Sequence, residues 1–66
     1  MDGKVKLTLA GLDGNAFNLL GAFRVAARKQ GFASDWITKI CEQAMAGDYN
    51  HLLTVLMENT EEDGEE

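Results

Sequence analysis

An extended segment near the start of the chain reads Val5-Lys6-Leu7-Thr8-Leu9-Ala10-Gly11. Apolar residues alternate in it with more polar ones, which is the pattern of a β-strand with one buried face. A single strand cannot satisfy its own backbone hydrogen bonds, so it needs a partner. That partner is a second copy of the chain, a foreign protein or an unrecognised strand. We expect a second copy, because no later segment alternates convincingly and a small core gains from extra burial.

Three helices are predicted after the strand. Apolar residues recur every three or four positions after Asn15, after Ser34 and after Asp48, as on one face of a helix. These three residues are good N-caps, because their side chains accept a backbone N–H of the first helical turn. Gly31 and Gly47 lie where the first two helices should end. The sequence therefore predicts an α+β fold in which one short N-terminal strand, paired across a dimer, is followed by three helices.

The third predicted helix is apolar over more than half of its circumference. Its apolar residues are Tyr49, Leu52, Leu53, Val55, Leu56 and Met57. An apolar stripe wider than roughly 100° buries more surface than one neighbouring element can cover. We expect this helix either to lie centrally among the others or to offer one edge to another chain.

The charge of the protein is concentrated at one end. The 66 residues carry a formal net charge of −5, and six of the eleven acidic residues fall within residues 58–66, which contain no basic residue. We expect residues 1–58 to form a single small α+β domain and residues 59–66 to form an acidic, flexible tail that frays from about Asn59. Nucleic-acid binding is not expected, because few basic residues lie on the predicted helices.

The length of the chain limits how it can be stabilised. A chain of this size buries only about 60% of its unfolded surface and is marginally stable alone. One cysteine and one histidine complete neither a disulfide nor a structural zinc site, so we expect no metal and no cofactor. No apolar run approaches the ~20 residues of a membrane span, and Met1-Asp2-Gly3-Lys4 does not open a signal peptide. We expect a cytoplasmic protein with no membrane partner.

Cys41 and His51 are candidates for a catalytic pair, because a cysteine nucleophile and a histidine base often act together. Cys41 lies in the apolar stripe of the second helix, where a thiol is buried and inert. No acidic residue is obviously placed to orient His51. We expect a structural cysteine, a surface histidine and no enzymatic activity, since a nucleophile, a base and a stabilising donor cannot be assembled.

Phe17 is the most informative candidate for an interface. It is followed at helical spacing by Gly21, Arg24 and Arg28, and an aromatic residue beside a glycine notch and arginines has the composition of an interface hot spot. Packing of Phe17 under the strand is the favoured alternative. The complete set of candidate interface residues is Val5, Leu7, Leu9, Phe17, Arg24, Val55 and Met57.

Two motifs carry a resemblance to a known family. Gly11-Leu12-Asp13-Gly14-Asn15-Ala16-Phe17 follows the strand, and Gly47-Asp48-Tyr49-Asn50-His51-Leu52-Leu53 opens the last helix. With these motifs the chain, from about Val5 to Met57, resembles a family of small uncharacterised proteins encoded by bacteria and their phages. The resemblance attaches no activity to any residue. It implies a small protein that binds and modulates a host protein.

The sequence as a whole favours a non-enzymatic protein-interaction module that forms a homodimer. The alternative is a small phage-type inhibitor or nucleic-acid mimic that binds a host protein through its acidic tail. Deleting residues 58–66 distinguishes the two hypotheses. The first predicts retained folding and association, and the second predicts a retained fold with lost, salt-sensitive binding.

Overall fold

The fold comprises three helices and one short parallel sheet. The computed structural model describes residues 4–9, 11–12 and 14–62. Its elements in chain order are β1 (Val5–Lys6), α1 (Ala16–Lys29), α2 (Ser34–Ala44), α3 (Tyr49–Glu58) and β2 (Thr60–Glu61). The predicted α+β class and the three helices are confirmed, and β2 is an element that the sequence analysis missed.

The N-terminal strand has a partner within its own chain. β1 and β2 run parallel, with Val5 opposite Thr60. The Val5 amide donates to the Asn59 carbonyl at 3.0 Å, and the Leu7 amide donates to the Glu61 carbonyl at 2.9 Å. The strand is therefore paired with the third of the partners considered, an unrecognised strand, and the expectation of a second copy as partner is wrong for the edge that pairs with β2. β2 escaped notice because two residues are too few to show an alternating pattern.

The other edge of β1 is covered by a side chain. The Lys6 amide donates to Gln30 Oε1 at 2.8 Å, and Gln30 Nε2 donates to the Lys6 carbonyl at 2.9 Å. Gln30 is the C-cap of α1, so the end of this helix supplies both of the bonds that a neighbouring strand would make. An open strand edge can pair with another chain, but the Lys6 backbone at this edge is already hydrogen-bonded to the Gln30 side chain.

The predicted strand is longer than the observed one. Regular pairing covers Val5–Lys6 and does not extend to Gly11. Gly11 instead has a φ of +89° and belongs to a turn in which the Leu12 amide donates to the Leu9 carbonyl at 3.1 Å. Asp13, which belongs to the first family motif, lies outside the described residues.

The chain remains part of the fold after α3. Asn59 Nδ2 donates to the Val55 carbonyl at 2.8 Å. Thr60 is only 8% exposed, and its hydroxyl donates to the Leu56 carbonyl at 2.9 Å. Fraying from about Asn59 is therefore a wrong expectation for residues 59–61, because their backbone is paired with β1. The predicted division after residue 58 falls between α3 and β2, and residues 63–66 of the predicted tail lie outside the described residues.

A cluster of buried apolar side chains joins β1 to all three helices. Its members are Val5, Leu19, Leu20, Phe23, Ala27, Ile37, Ile40, Cys41, Ala44, Leu52, Val55 and Leu56. Val5 is fully buried, and burying a valine stabilises a fold by about 1.5–3 kcal/mol. β1 is thus held by side-chain burial as well as by hydrogen bonds. α3 packs against α1, α2 and β2, as in the first of the two alternatives expected for it, while its residue Met57 stays exposed.

Two of the three predicted N-cap residues cap their helices in the structure. The side chains of Asn15 and Asp48 each accept a backbone N–H of their helix at 2.9 Å, as predicted. Ser34 is not a cap but the first residue of α2. The cap is Ala33, which has an extended backbone and whose carbonyl accepts the Ile37 amide at 3.0 Å. The α2 prediction is off by one residue because the chain is still extended at Ala33.

The glycines that follow the first two helices have different roles. Gly31 has a φ of +90°, which confirms its predicted left-handed conformation. α2 ends at Ala44, earlier than the predicted terminator Gly47. Gly47 serves a different purpose, since a Cβ there would lie 2.7 Å from the Cγ of His51. The close approach of the His51 ring to the backbone requires glycine at this position.

Candidate interaction surface

The seven predicted interface residues divide into buried and exposed positions. Val5 and Val55 are 0% and 8% exposed, so their side chains lie in the core of the chain and not on its surface. Leu7 and Leu9 are half-buried and pack against the edge of the core. Phe17, Arg24 and Met57 are exposed. The surface positions of the set therefore lie on α1, on α3 and on the segment that continues β1.

Phe17 is the most exposed large apolar residue of the described chain. It is 80% exposed, so the favoured expectation that it packs under the strand is wrong. The buried face of α1 is formed by residues 19, 20, 23 and 27, and Phe17 lies off that face. Gly21 and Val25 follow it at intervals of four residues, which aligns the three along one side of the helix. Val25 is 57% exposed, so α1 presents an apolar stripe to solvent.

A broad groove runs between this stripe and the N-terminal segment. Its volume is about 700 Å³, and we call it the α1 groove. Its lining includes Lys6, Leu7, Phe17, Gly21, Val25 and Lys29. The charged residues of its described lining, Lys6 and Lys29, are both basic. The exposed side chains of Arg24 and Arg28 lie on the same helix, so the groove is apolar with a basic border.

A second cleft lies between the N-terminal segment and the end of α3. Its volume is about 450 Å³, and we call it the β2 cleft. Its lining comprises Leu7, Leu9, Leu53, Met57, Thr60, Glu61 and Glu62. Met57 is 62% exposed and supplies an accessible apolar surface. The charged residues of its described lining, Glu61 and Glu62, are both acidic, so this cleft is apolar with an acidic border.

The two clefts are neighbours because they share a residue. Leu7 contributes to the lining of both. The pairing of β1 with β2 also places Lys6 opposite Glu61 in the register of the sheet. The basic border of one cleft and the acidic border of the other therefore adjoin at the sheet.

A smaller cavity lies on the other side of Phe17. It has a volume of about 250 Å³ and includes the exposed residues Met45 and Tyr49. The Tyr49 hydroxyl donates to the Gly14 carbonyl, which ties the start of α3 to the segment before α1. The sequence analysis did not identify Val25 or Met45 as surface candidates. Val25 could have been found from its four-residue spacing after Gly21, whereas Met45 gives no comparable signal.

The residues considered as catalytic or metal-binding candidates have structural roles. Cys41 is fully buried, as predicted. His51 is exposed, as predicted, and its Nε2 lies 2.8 Å from the Gln43 carbonyl oxygen. The carboxylate of Asp48 accepts the His51 amide as a helix cap. Within the described ranges no group of three or more His, Cys, Asp or Glu residues is placed to hold a metal ion.

Comparison with protein-family models, with curated proteins and with solved structures found no match to the chain. The resemblance to small bacterial and phage proteins, based on residues 11–17 and 47–53, therefore remains a prediction. The described helices include none with the length and apolar character needed to cross a membrane.

Proposed function

We propose that the protein is a non-enzymatic protein-interaction module that self-associates as a homodimer. The observation that carries this proposal is the exposure of Phe17 along a stripe that it forms with Gly21 and Val25. Covering an exposed phenylalanine is worth about 1.5–3 kcal/mol. Aromatic anchors near arginine are enriched where interfaces have their strongest contacts, and Arg24 lies on the same helix.

The size of the chain favours a second copy as the partner. A chain of 66 residues gains stability from association, since its own core is small. The contact we propose is the face of α1 and not the strand. The backbone groups of Val5, Lys6 and Leu7 that we describe are bonded to β2 or to Gln30, so these bonds already have partners within the chain.

A binding role suits the surface chemistry better than a catalytic one. Cys41 is the cysteine of the chain and is inaccessible, while His51 is engaged with the backbone at Gln43. The two clefts around Leu7 are lined by apolar side chains. The charged residues at the border of one cleft are basic, and those at the border of the other are acidic. Such surfaces offer shape and charge to a partner protein.

Substitution of Phe17 tests the proposal. Phe17→Ala removes the aromatic ring at an exposed helical position where alanine is the best helix former, so folding should be retained. We expect the dimer to weaken by about 2 kcal/mol, which is roughly 30-fold in the dissociation constant. Light scattering behind size exclusion measures the association, and thermal unfolding monitors the fold. Thr38→Ala, at an exposed position on α2, is the matched control; it should leave association unchanged and keep or slightly raise thermal stability. A monomeric native chain, or a dimer that Phe17→Ala leaves unchanged, would contradict the proposal.

A second candidate is binding of a basic host protein through the acidic end of the chain. The exposure of Glu61 and Glu62 beside the apolar β2 cleft favours it. Deleting residues 63–66 and replacing Glu61 and Glu62 with glutamine removes five side-chain carboxylates and leaves the backbone of β2 in place. This candidate predicts salt-sensitive loss of a host protein captured by the native chain. Retention of that protein by the shortened chain would contradict it.

A further inference from the structure

We infer that the two copies meet about a two-fold axis close to Leu7, so that the α1 groove of each copy faces the β2 cleft of the other. This inference rests on the proposed self-association and specifies its geometry. It assigns the acidic border at Glu61 and Glu62 a role in assembly. The proposed function by itself gives these residues no such role.

The symmetry of a two-fold dimer favours a contact surface that carries both basic and acidic residues. In a two-fold dimer the same patch is used by both subunits, so the patch must be complementary to itself. The α1 groove packed on itself meets this requirement less well, because Lys6 and Lys29 would approach a second set of basic residues. The β2 cleft packed on itself has the opposite problem, since Glu61 and Glu62 would meet like charges. Like charges across an interface disfavour the complex.

The two clefts together meet the requirement. They adjoin at Leu7, and a two-fold rotation about an axis near Leu7 exchanges one for the other. The basic border of each copy then faces the acidic border of its partner, and this contact occurs twice. The apolar parts are exchanged in the same way, so that Phe17 lies toward the partner's Met57. Sulfur and aromatic side chains attract one another, and Gly21 leaves room beside the ring because nothing lies within 4 Å of its would-be Cβ.

Charge reversal tests this geometry in a way that does not depend on a known partner. Lys29→Glu and Glu62→Lys each change an exposed residue on one border. Each variant alone would place two like-charged contacts in its own homodimer. An equimolar mixture of the two variants would restore opposite charges at both contacts. The mixture should therefore form a dimer of one chain of each variant.

The expected effects are measurable by light scattering. We expect each single variant to dissociate roughly ten-fold more readily than the native chain at low salt, since two contacts change from attraction to repulsion. The mixture should return to within about three-fold of the native dissociation constant. Lys39→Glu and Glu42→Lys make the same charge changes on exposed positions of α2 and should leave dimerisation unchanged, alone or mixed.

The possible results separate this inference from the proposed function. A monomeric native chain would overturn both. A native dimer that is unaffected by either single reversal, or weakened by both but not restored by mixing, would overturn the two-fold geometry alone. Because Lys29 is the last residue of α1, an acidic side chain there also opposes the helix dipole. If Lys29→Glu lowers the thermal midpoint, the neutral Lys29→Gln replaces it. Its mixture with Glu62→Lys should associate more tightly than Glu62→Lys alone, and absence of that gain would count against the inference.

Discussion

Truncation after Glu58 should unfold most of the protein, whereas truncation after Glu62 should not. The first variant removes Asn59, Thr60 and Glu61, which hold β1 in place. The second removes residues 63–66 and keeps every contact described above. This pair reverses the expectation drawn from sequence alone, in which the last residues were dispensable for folding.

The size of the effect follows from the contacts that are lost. The hydrogen bonds from Val5 to Asn59 and from Leu7 to Glu61 are each worth about 1 kcal/mol net. The Thr60 hydroxyl bond contributes a similar amount from a buried position, and partial exposure of Val5 costs up to about 1.5–3 kcal/mol. Together these losses amount to about 4.5–6 kcal/mol, which is comparable to the whole stability of a chain of 66 residues at about 0.05–0.15 kcal/mol per residue.

Urea unfolding followed by circular dichroism measures this loss, and amide hydrogen exchange locates it. We expect the chain ending at Glu58 to show little or no cooperative transition and to lose protection at the Val5 and Leu7 amides. The full-length variant Glu61→Gln with Glu62→Gln controls for charge and should remain cooperative. A chain ending at Glu58 whose free energy of unfolding lies within about 1 kcal/mol of the chain ending at Glu62 would refute the reasoning.

Two further substitutions test the Gln30 and Gly47 contacts. Gln30→Ala removes both bonds to Lys6 and should lower the free energy of unfolding by about 1–2 kcal/mol in urea titrations. Gln43→Ala, at an exposed position near the end of α2, is its control, and equal effects of the two would argue against a specific bond. Gly47→Ala forces the His51 ring to move and should cost about 1–3 kcal/mol. Its cost should fall in a His51→Gly background, which removes both the ring and the Cβ of residue 51, and a double-mutant cycle without coupling would contradict the clash.

The parts of the fold that could be predicted from sequence are local. Asn15 and Asp48 cap their helices through bonds to residues two and three positions away, and Gly31 acts through its own backbone. Such features are encoded within a few neighbouring residues. β2 could not be recognised in this way. It has two residues, it directly follows a helix, and its partner β1 lies near the opposite end of the sequence.

The part of the candidate surface on α1 could be predicted from residue type and spacing. Phe17, Gly21 and Arg24 suggested an interface by residue type and spacing, and their side of α1 is exposed. An unpaired strand and a wide apolar helical face predict an interface at Val5 and Val55, but both side chains are buried within the chain. Their burial depends on where β2 holds β1 against the helices, which is a tertiary effect. The spacing of apolar residues predicts whether a segment is a helix or a strand and which of its faces is buried. Which other element packs on that face is determined by the tertiary fold.

The pairing of β1 with β2 changes the meaning of the N-terminal strand. The strand no longer requires a second chain for its bonds at Val5 and Leu7, so it ceases to be a reason for dimerisation. The same pairing places the acidic residue Glu61 opposite Lys6, a basic residue of the α1 groove. In the assembly we propose, β2 thus contributes to both folding and association, whereas Phe17 contributes to association alone. It follows that ending the chain at Glu58 should abolish both properties together, and that Phe17→Ala should separate them.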